Sequence, residues 1–147
     1  MDNIGYLLAD AARLLRRRFD QQVRIHGVTG PQARLLLILN ANGGQTQAFY
    51  ADQMEVEPIT LCRMVDRLEE ARLVERRPSP TDRRARQLLL TSEGQSRIAE
   101  LRKDVDVLID DMMQGLSQQE HESLMHLLQV IRANLGPQDT HQEAAHG

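Results

Sequence analysis

The sequence predicts a mainly α-helical fold with one small β-hairpin, and three observations carry that reading. Apolar residues recur at spacings of three and four through most of the chain, the stripe of amphipathic helices. That period fails once, where the short runs 74–78 and 86–90 flank the polar, turn-forming loop Ser79-Pro80-Thr81-Asp82-Arg83-Arg84-Ala85. Helix punctuation falls at regular places: Thr29-Gly30-Pro31, Gly43-Gly44, Pro58, Ser117 with Glu120, and Gly136-Pro137.

The first helix follows from Ile4, Leu7, Leu8, Ala11, Leu14, Leu15 and Phe19, and Gly27 stops it. Thr29 is a suitable N-cap for the second, with Pro31 in its first turn. That helix, through Ala33 to Asn40, is apolar over most of its circumference and is expected to be buried. A short third helix covers 47–54, with Phe49, Tyr50 and Met54 as its apolar members. Pro58 opens a fourth, running to about Ala71, with Leu61, Met64, Val65 and Leu68 facing inward. The hairpin follows. Thr91 or Ser92 caps a fifth helix that continues to about Gly115 through Ile98, Leu101, Val105, Leu108 and Met112. Ser117 and Glu120 form a capping box for a sixth, striped by Leu124, Leu127, Leu128, Ile131 and Leu135. The order helix, turn, helix, hairpin at 31–91 is that of a winged helix-turn-helix. Residues 1–28 and 92–136 are then expected to be dimerisation helices, because they carry more apolar stripe than one small winged domain can cover. The polar segment 137–147 reads as a flexible tail.

The net charge of −3 argues by itself against a polyanionic partner, but its distribution argues for one. Residues 63–86 hold eight arginines against five acids, while residues 87–147 hold four basic residues against ten acids. A basic segment beside an acidic scaffold is what a nucleic-acid reader shows. No apolar run approaches the ~18 residues of a membrane helix. The N-terminus has no basic segment followed by an apolar block, and the lone Cys62 excludes an intramolecular disulfide, which points to a cytoplasmic protein without membrane association.

From Pro31 to about Gly94 the chain resembles the MarR/SlyA family of bacterial regulators. The resemblance is carried by residues 61–76, Leu-Cys-Arg-Met-Val-Asp-Arg-Leu-Glu-Glu-Ala-Arg-Leu-Val-Glu-Arg, and by Asp82, Arg84, Leu88, Leu90 and Thr91, which match the family's wing pattern. Two places depart from it: Phe49-Tyr50 stands where the family usually has a Glu-Leu pair, and Glu57-Pro58-Ile59 where small polar residues often start the reading helix. The resemblance implies a homodimer joined through the terminal helices, duplex DNA as partner, and transcriptional control. It also implies a small phenolic or aromatic carboxylate ligand bound between the dimer helices and the winged domain.

The residues give that reading a physical basis. At roughly 100° per residue, with Val65 at zero, Thr60, Arg63 and Arg67 fall near 220°, 160° and 200°, opposite the apolar side. Such a stripe can enter a major groove, with Arg63 pairing to guanine O6 and N7 and Arg67 reaching phosphate. In the hairpin, Arg83, Arg84 and Arg86 repel one another and need an anion; Asp82 can hold one guanidinium, and a phosphate or a narrow minor groove can supply the rest, with the resemblance implying the minor-groove role for Arg84 and the orienting role for Asp82. Leu8, Leu101, Leu108, Leu128 and Ile131 are the expected dimer contacts. Arg34, the one charge in the apolar stretch 33–39, is the candidate anion contact, with an ion pair to an acid as the alternative.

Other chemistry finds little support. Cys62 lies beside Arg63 and reads as a semi-buried filler, with a redox role as the alternative. His121 and His126 are five apart, which does not place both on one helical face, and His141 and His146 are isolated, so no metal or cofactor is expected. No carboxylate pair, Ser/His/Asp set or phosphate loop suggests an enzyme. The competing function is a helical protein-interaction module whose hairpin arginines bind an acidic partner.

Overall fold

The computed structural model describes residues 3–137. The tail expected at 137–147, with His141 and His146, lies outside the described residues apart from Pro137. The elements are α1 (Ile4–Val23), a 3₁₀ turn (Arg24–His26), α2 (Gly30–Ala41), α3 (Gln47–Met54), α4 (Pro58–Glu70), β1 (Val74–Pro78), β2 (Arg86–Leu90), α5 (Ser92–Met112) and α6 (Gln118–Leu135).

Local chemistry sets these boundaries. Asn3 caps α1 by accepting from the Tyr6 N–H at 2.7 Å, and Gly27, at φ 74°, takes the left-handed turn that ends the helical run. Thr29 and Gln32 form a capping box at α2, as Ser117 and Glu120 do at α6. In the second box the Ser117 backbone and hydroxyl hold the Glu120 carboxyl below the usual carboxylate range. Pro58 occupies the first turn of α4, whose N-cap, Glu57, makes no side-chain cap bond. Thr91, rather than Ser92, opens α5: its hydroxyl accepts from the Gly94 N–H at 3.0 Å and donates to the Arg72 carbonyl at 2.6 Å. A Cβ on Gly94 would stand 2.1 Å from the Leu73 carbonyl oxygen, so only glycine lets α5 start this close to the strand. The fifth helix ends at Met112, three residues before Gly115, which sits at φ 87°.

The chain forms two compact units, Met1–Ile109 and Asp110–Gly147. The first unit contains a single apolar core, drawn from α1 (Phe19, Val23), α2 (Ala33, Leu35, Leu36, Leu39), α4 (Leu61, Val65, Leu68), the hairpin (Val74, Leu88) and α5 (Ile98, Leu101, Leu108). Phe19, Ile98 and Leu101 share a core with the winged segment. His26 bonds Asp104, and Arg97 donates to the His26 carbonyl, tying the turn after α1 to α5. In the second unit, α6 has no buried residue, and Met125, Leu127, Leu128, Val130 and Leu135 are exposed along it. Among the described residues, no helix is long and apolar enough to cross a membrane.

The two-stranded sheet is antiparallel, with Val74 opposite Leu90, Arg76 opposite Leu88 and Pro78 opposite Arg86. A third segment joins it. Gly44 N–H donates to the Leu88 carbonyl and Leu88 N–H to the Gln45 carbonyl, both at 3.0 Å, and Thr46 bridges Gln87. These bonds fix the hairpin to the turn between α2 and α3. That turn is stitched in its own right by Tyr50, fully buried, whose hydroxyl donates to the Asn42 carbonyl and accepts from the Gln45 N–H. Burial raises the Tyr50 phenol above its ordinary range, against the smaller opposing effect of the Gln45 bond. The aromatic pair Phe49–Tyr50 packs edge to face at 5.2 Å.

Candidate nucleic-acid interface

The amphipathic pattern of α4 aims its charged side outward. Leu61, Val65 and Leu68 are buried, and this anchors the helix so that Thr60, Arg63 and Arg67 are exposed on the far side. Asp66 and Glu69, acids that share the helix, are engaged elsewhere. Both pair with Arg76, at 2.7 and 3.2 Å. Neither Arg63 nor Arg67 has an acidic partner among the described residues.

Arg76 is the joint of the region. From the middle of β1 its Nε donates to the Gln47 side chain of α3 at 2.7 Å, and its Nη2 donates to the Cys62 carbonyl of α4 at 3.0 Å. Its backbone N–H donates to Glu69 at 3.1 Å. Burial opposes the charge, but the hydrogen bond and charge of Asp66, with Glu69 behind it, leave the guanidinium above its ordinary range. One side chain thus ties α3, α4 and the hairpin into a single piece. Cys62 is half-buried beneath it, its sulfur 3.6 Å from Nη2.

The hairpin tip is ordered by its own polar groups. Ser79 N–H donates to the Ala85 carbonyl at 3.1 Å, Ala85 N–H to the Asp82 carbonyl at 3.2 Å, and Ser79 Oγ accepts from Thr81 and Asp82. Against the expectation from sequence, Asp82 holds no guanidinium among the described residues. Its carboxylate accepts from the Arg84 backbone N–H at 2.9 Å, the turn a side chain two residues back makes with its own backbone. It shapes the loop and leaves Arg84's charge free. Arg83, Arg84 and Arg86 are exposed, and among the described residues none of them pairs with an acid. Between the hairpin and the first turns of α3 and α4 lies a concavity of about 490 Å³, lined by Thr46, Gln47, Ala48, Pro58, Asp82, Arg84, Ala85 and Arg86. Arg84 and Arg86 thus line the recess, and Arg63, Arg67 and Arg83 add three further exposed guanidinium groups on α4 and the hairpin that Arg76 joins. Such an array can neutralise phosphates and offer bidentate donors to base edges.

The remaining expected sites fall differently. Leu101 and Leu108 are 0% and 2% exposed within their own chain, so they have no surface left for a second one. Both belong to the apolar core of the first unit. Leu8 and Leu128 are each 39% exposed, and Ile131 is half-buried. Arg34 takes the paired alternative, bonding Asp20 Oδ1 at 3.0 Å, and also lines a mostly apolar cavity of about 320 Å³ with Leu15, Arg16, Phe19, Leu37 and Val105. Asp20 sits where a Cβ on Gly30 would be, 1.8 Å from it, which places its carboxylate against the first turn of α2. Among the described residues no three potential metal ligands come together.

Comparison with known proteins agrees with this geometry. A family model described as "MarR family" matches residues 26–85. The HTH-type transcriptional regulator MhqR of Bacillus subtilis (strain 168) is 27% identical over 128 residues, which are 87% of this chain and 88% of that protein. Among solved structures, the transcriptional repressor CouR bound to a 23-mer DNA duplex is 30% identical with a TM-score of 0.75, over 88% of this chain and 92% of that one. Wild-type MarR from E. coli in its apo form superposes with a TM-score of 0.81 at 23% identity, over 89% and 97% of the two chains.

Proposed function

The chain belongs to the MarR family of transcriptional regulators, and we propose that it acts as a homodimeric repressor of a palindromic operator, released by a small aromatic anion. As a member of that family it is a transcriptional regulator and not an enzyme. The observation that carries the DNA reading is the set of unpaired arginines on α4 and the hairpin, two elements that Arg76 joins, with Arg84 and Arg86 lining one recess between them. The second helix of the helix-turn-helix enters the major groove, where Arg63 reads guanine and Thr60 a neighbouring base edge, while Arg67 meets phosphate. Arg84 reaches into the flanking minor groove, presented by the turn that Asp82 closes, and Arg83 and Arg86 meet the backbone.

Two copies joined through α1 and α6 would bury exposed residues such as Leu8 and Leu128. Two-fold symmetry then sets half-site centres about one helical turn, roughly 10 base pairs, apart. The cavity beside Arg34 supports a small aromatic carboxylate as ligand by its lining: apolar walls and two guanidinium groups, one of which an entering anion would take from Asp20. CouR supports the repressor role as a relative so named. Light scattering at low micromolar concentration, with footprinting on the duplex it selects, tests the assembly. The expected result is a dimer protecting an inverted repeat; a monomer protecting one asymmetric half-site would overturn it.

A further inference from the structure

One side chain on the outward side of α4 has no role in the fold and none in charge recognition. Ile59, the second residue of the helix, is 62% exposed. It belongs neither to the apolar core nor to the partly buried residues packed on it. At roughly 100° per residue it lies about 40° from Arg63, on the charged face and not on the Leu61–Val65–Leu68 face. Its predecessor, Pro58, lines the recess shared with Arg84 and Arg86. A single exposed apolar residue is ordinary on a protein surface. This one, however, stands in the first turn of the helix whose N-terminal residues approach base edges, between Pro58 and Thr60. Being β-branched, it is stiff at χ1 and holds its methyl groups in a fixed direction.

Resting on the DNA-binding reading above, we propose that Ile59 is a specificity-determining residue that packs on the 5-methyl group of a thymine in the major groove. A hydrocarbon side chain has no donor or acceptor with which to read the other edges of that groove. The thymine methyl is the apolar feature it can recognise there. Arg63 then selects guanine by hydrogen bonds, and Ile59 selects thymine nearby by burial, so that the two contacts together define a step of the half-site. Removing the methyl from the contact should weaken binding about fourfold per half-site, the value of one buried methyl-sized group.

The test uses the full chain and duplexes it selects from a random pool. Each thymine that recurs at symmetry-related positions is replaced by uracil, which removes the methyl and leaves every hydrogen-bonding group in place. Wild type should lose about fourfold per half-site at one such position. Ile59→Ala should bind the thymine and uracil duplexes equally while keeping the wild-type melting temperature and salt slope. Wild type indifferent to uracil at every symmetric thymine, or Ile59→Ala showing the same loss as wild type, would overturn the proposal. Failure of wild type to select any duplex would instead remove the DNA reading on which the proposal rests, and the proposal with it.

Discussion

Arg76→Ala should loosen the reading helix and the hairpin together while removing no group that faces outward. The substitution deletes the bonds to the Gln47 side chain and the Cys62 carbonyl and the ion pairs with Asp66 and Glu69. The acids are 54% and 43% exposed, so each pair is screened and contributes about 0.2–1 kcal/mol. The two bonds to neutral acceptors come from a charged donor that is only 18% exposed and contribute about 1.5 kcal/mol each, at the lower end for that class. Releasing a long side chain returns about 1.5–2 kcal/mol of rotamer entropy. The net expectation is a loss of about 2–3 kcal/mol, a large share of a typical domain's 5–15 kcal/mol. Urea unfolding followed by far-ultraviolet circular dichroism measures it. Arg76→Lys should recover less than half, since one ammonium cannot span three elements as the planar fork does. A variant within about 0.5 kcal/mol of wild type, the range of an ordinary surface change, would show that Arg76 does not join these elements.

Tyr50→Phe should cost about 0.5–1.5 kcal/mol by freeing the Asn42 carbonyl and Gln45 N–H. Because the folded-state phenol titrates above the unfolded one, wild type should also lose stability as pH rises through about 10, where the unfolded chain ionises first; thermal melts should show that decline flattened in Tyr50→Phe. Gly94→Ala should destabilise strongly, by more than the ~1 kcal/mol typical of a point change, since the methyl meets backbone that cannot swing aside; an unchanged melt would refute the packing of α5 on Leu73. Titration of a phenolic acid panel against the protein–DNA complex should show weakened DNA binding, with the response blunted in Arg34→Ala; a mobility shift unaffected at millimolar concentration would remove the sensor role and leave the DNA reading standing.

Much of this architecture is legible because the signals are local. Thr29 before Gly30-Pro31, Pro58, and Ser117 three residues before Glu120 act within one turn of chain, and all three mark true helix starts. The hairpin, too, announces itself by the failure of helical period between Val74 and Leu90. What is not legible depends on which surface meets which. The stripe through Leu101 and Leu108 looks the same whether its own chain or a second one covers it, and here its own chain does. Arg76 is one of eight arginines in a basic segment, and nothing in its neighbours marks it as internal while Arg84 is free; only the strand register aims it at α3 and α4. The same limit applies to Asp82: two residues from Arg84, it can bond either the guanidinium or the backbone N–H, and the turn geometry selects the latter. The single-residue bridge from Thr46 to Gln87 leaves no periodicity to detect.

The claim on which all else depends is that the hairpin arginines meet DNA and do not merely keep a turn in solution. Arg84 tests it most directly, because it is exposed, unpaired among the described residues, and joined to the fold only through its backbone bond to Asp82. Fluorescence anisotropy of Arg84→Ala against wild type, on a selected duplex at several salt concentrations, should show affinity reduced by about 1–3 kcal/mol. The slope of log affinity against log salt should fall by roughly one, since one fewer cation enters the phosphate field. The melting temperature should not move. Unchanged affinity and slope beside an unchanged melt would contradict the account, because the hairpin would then be a solvated turn and not a wing.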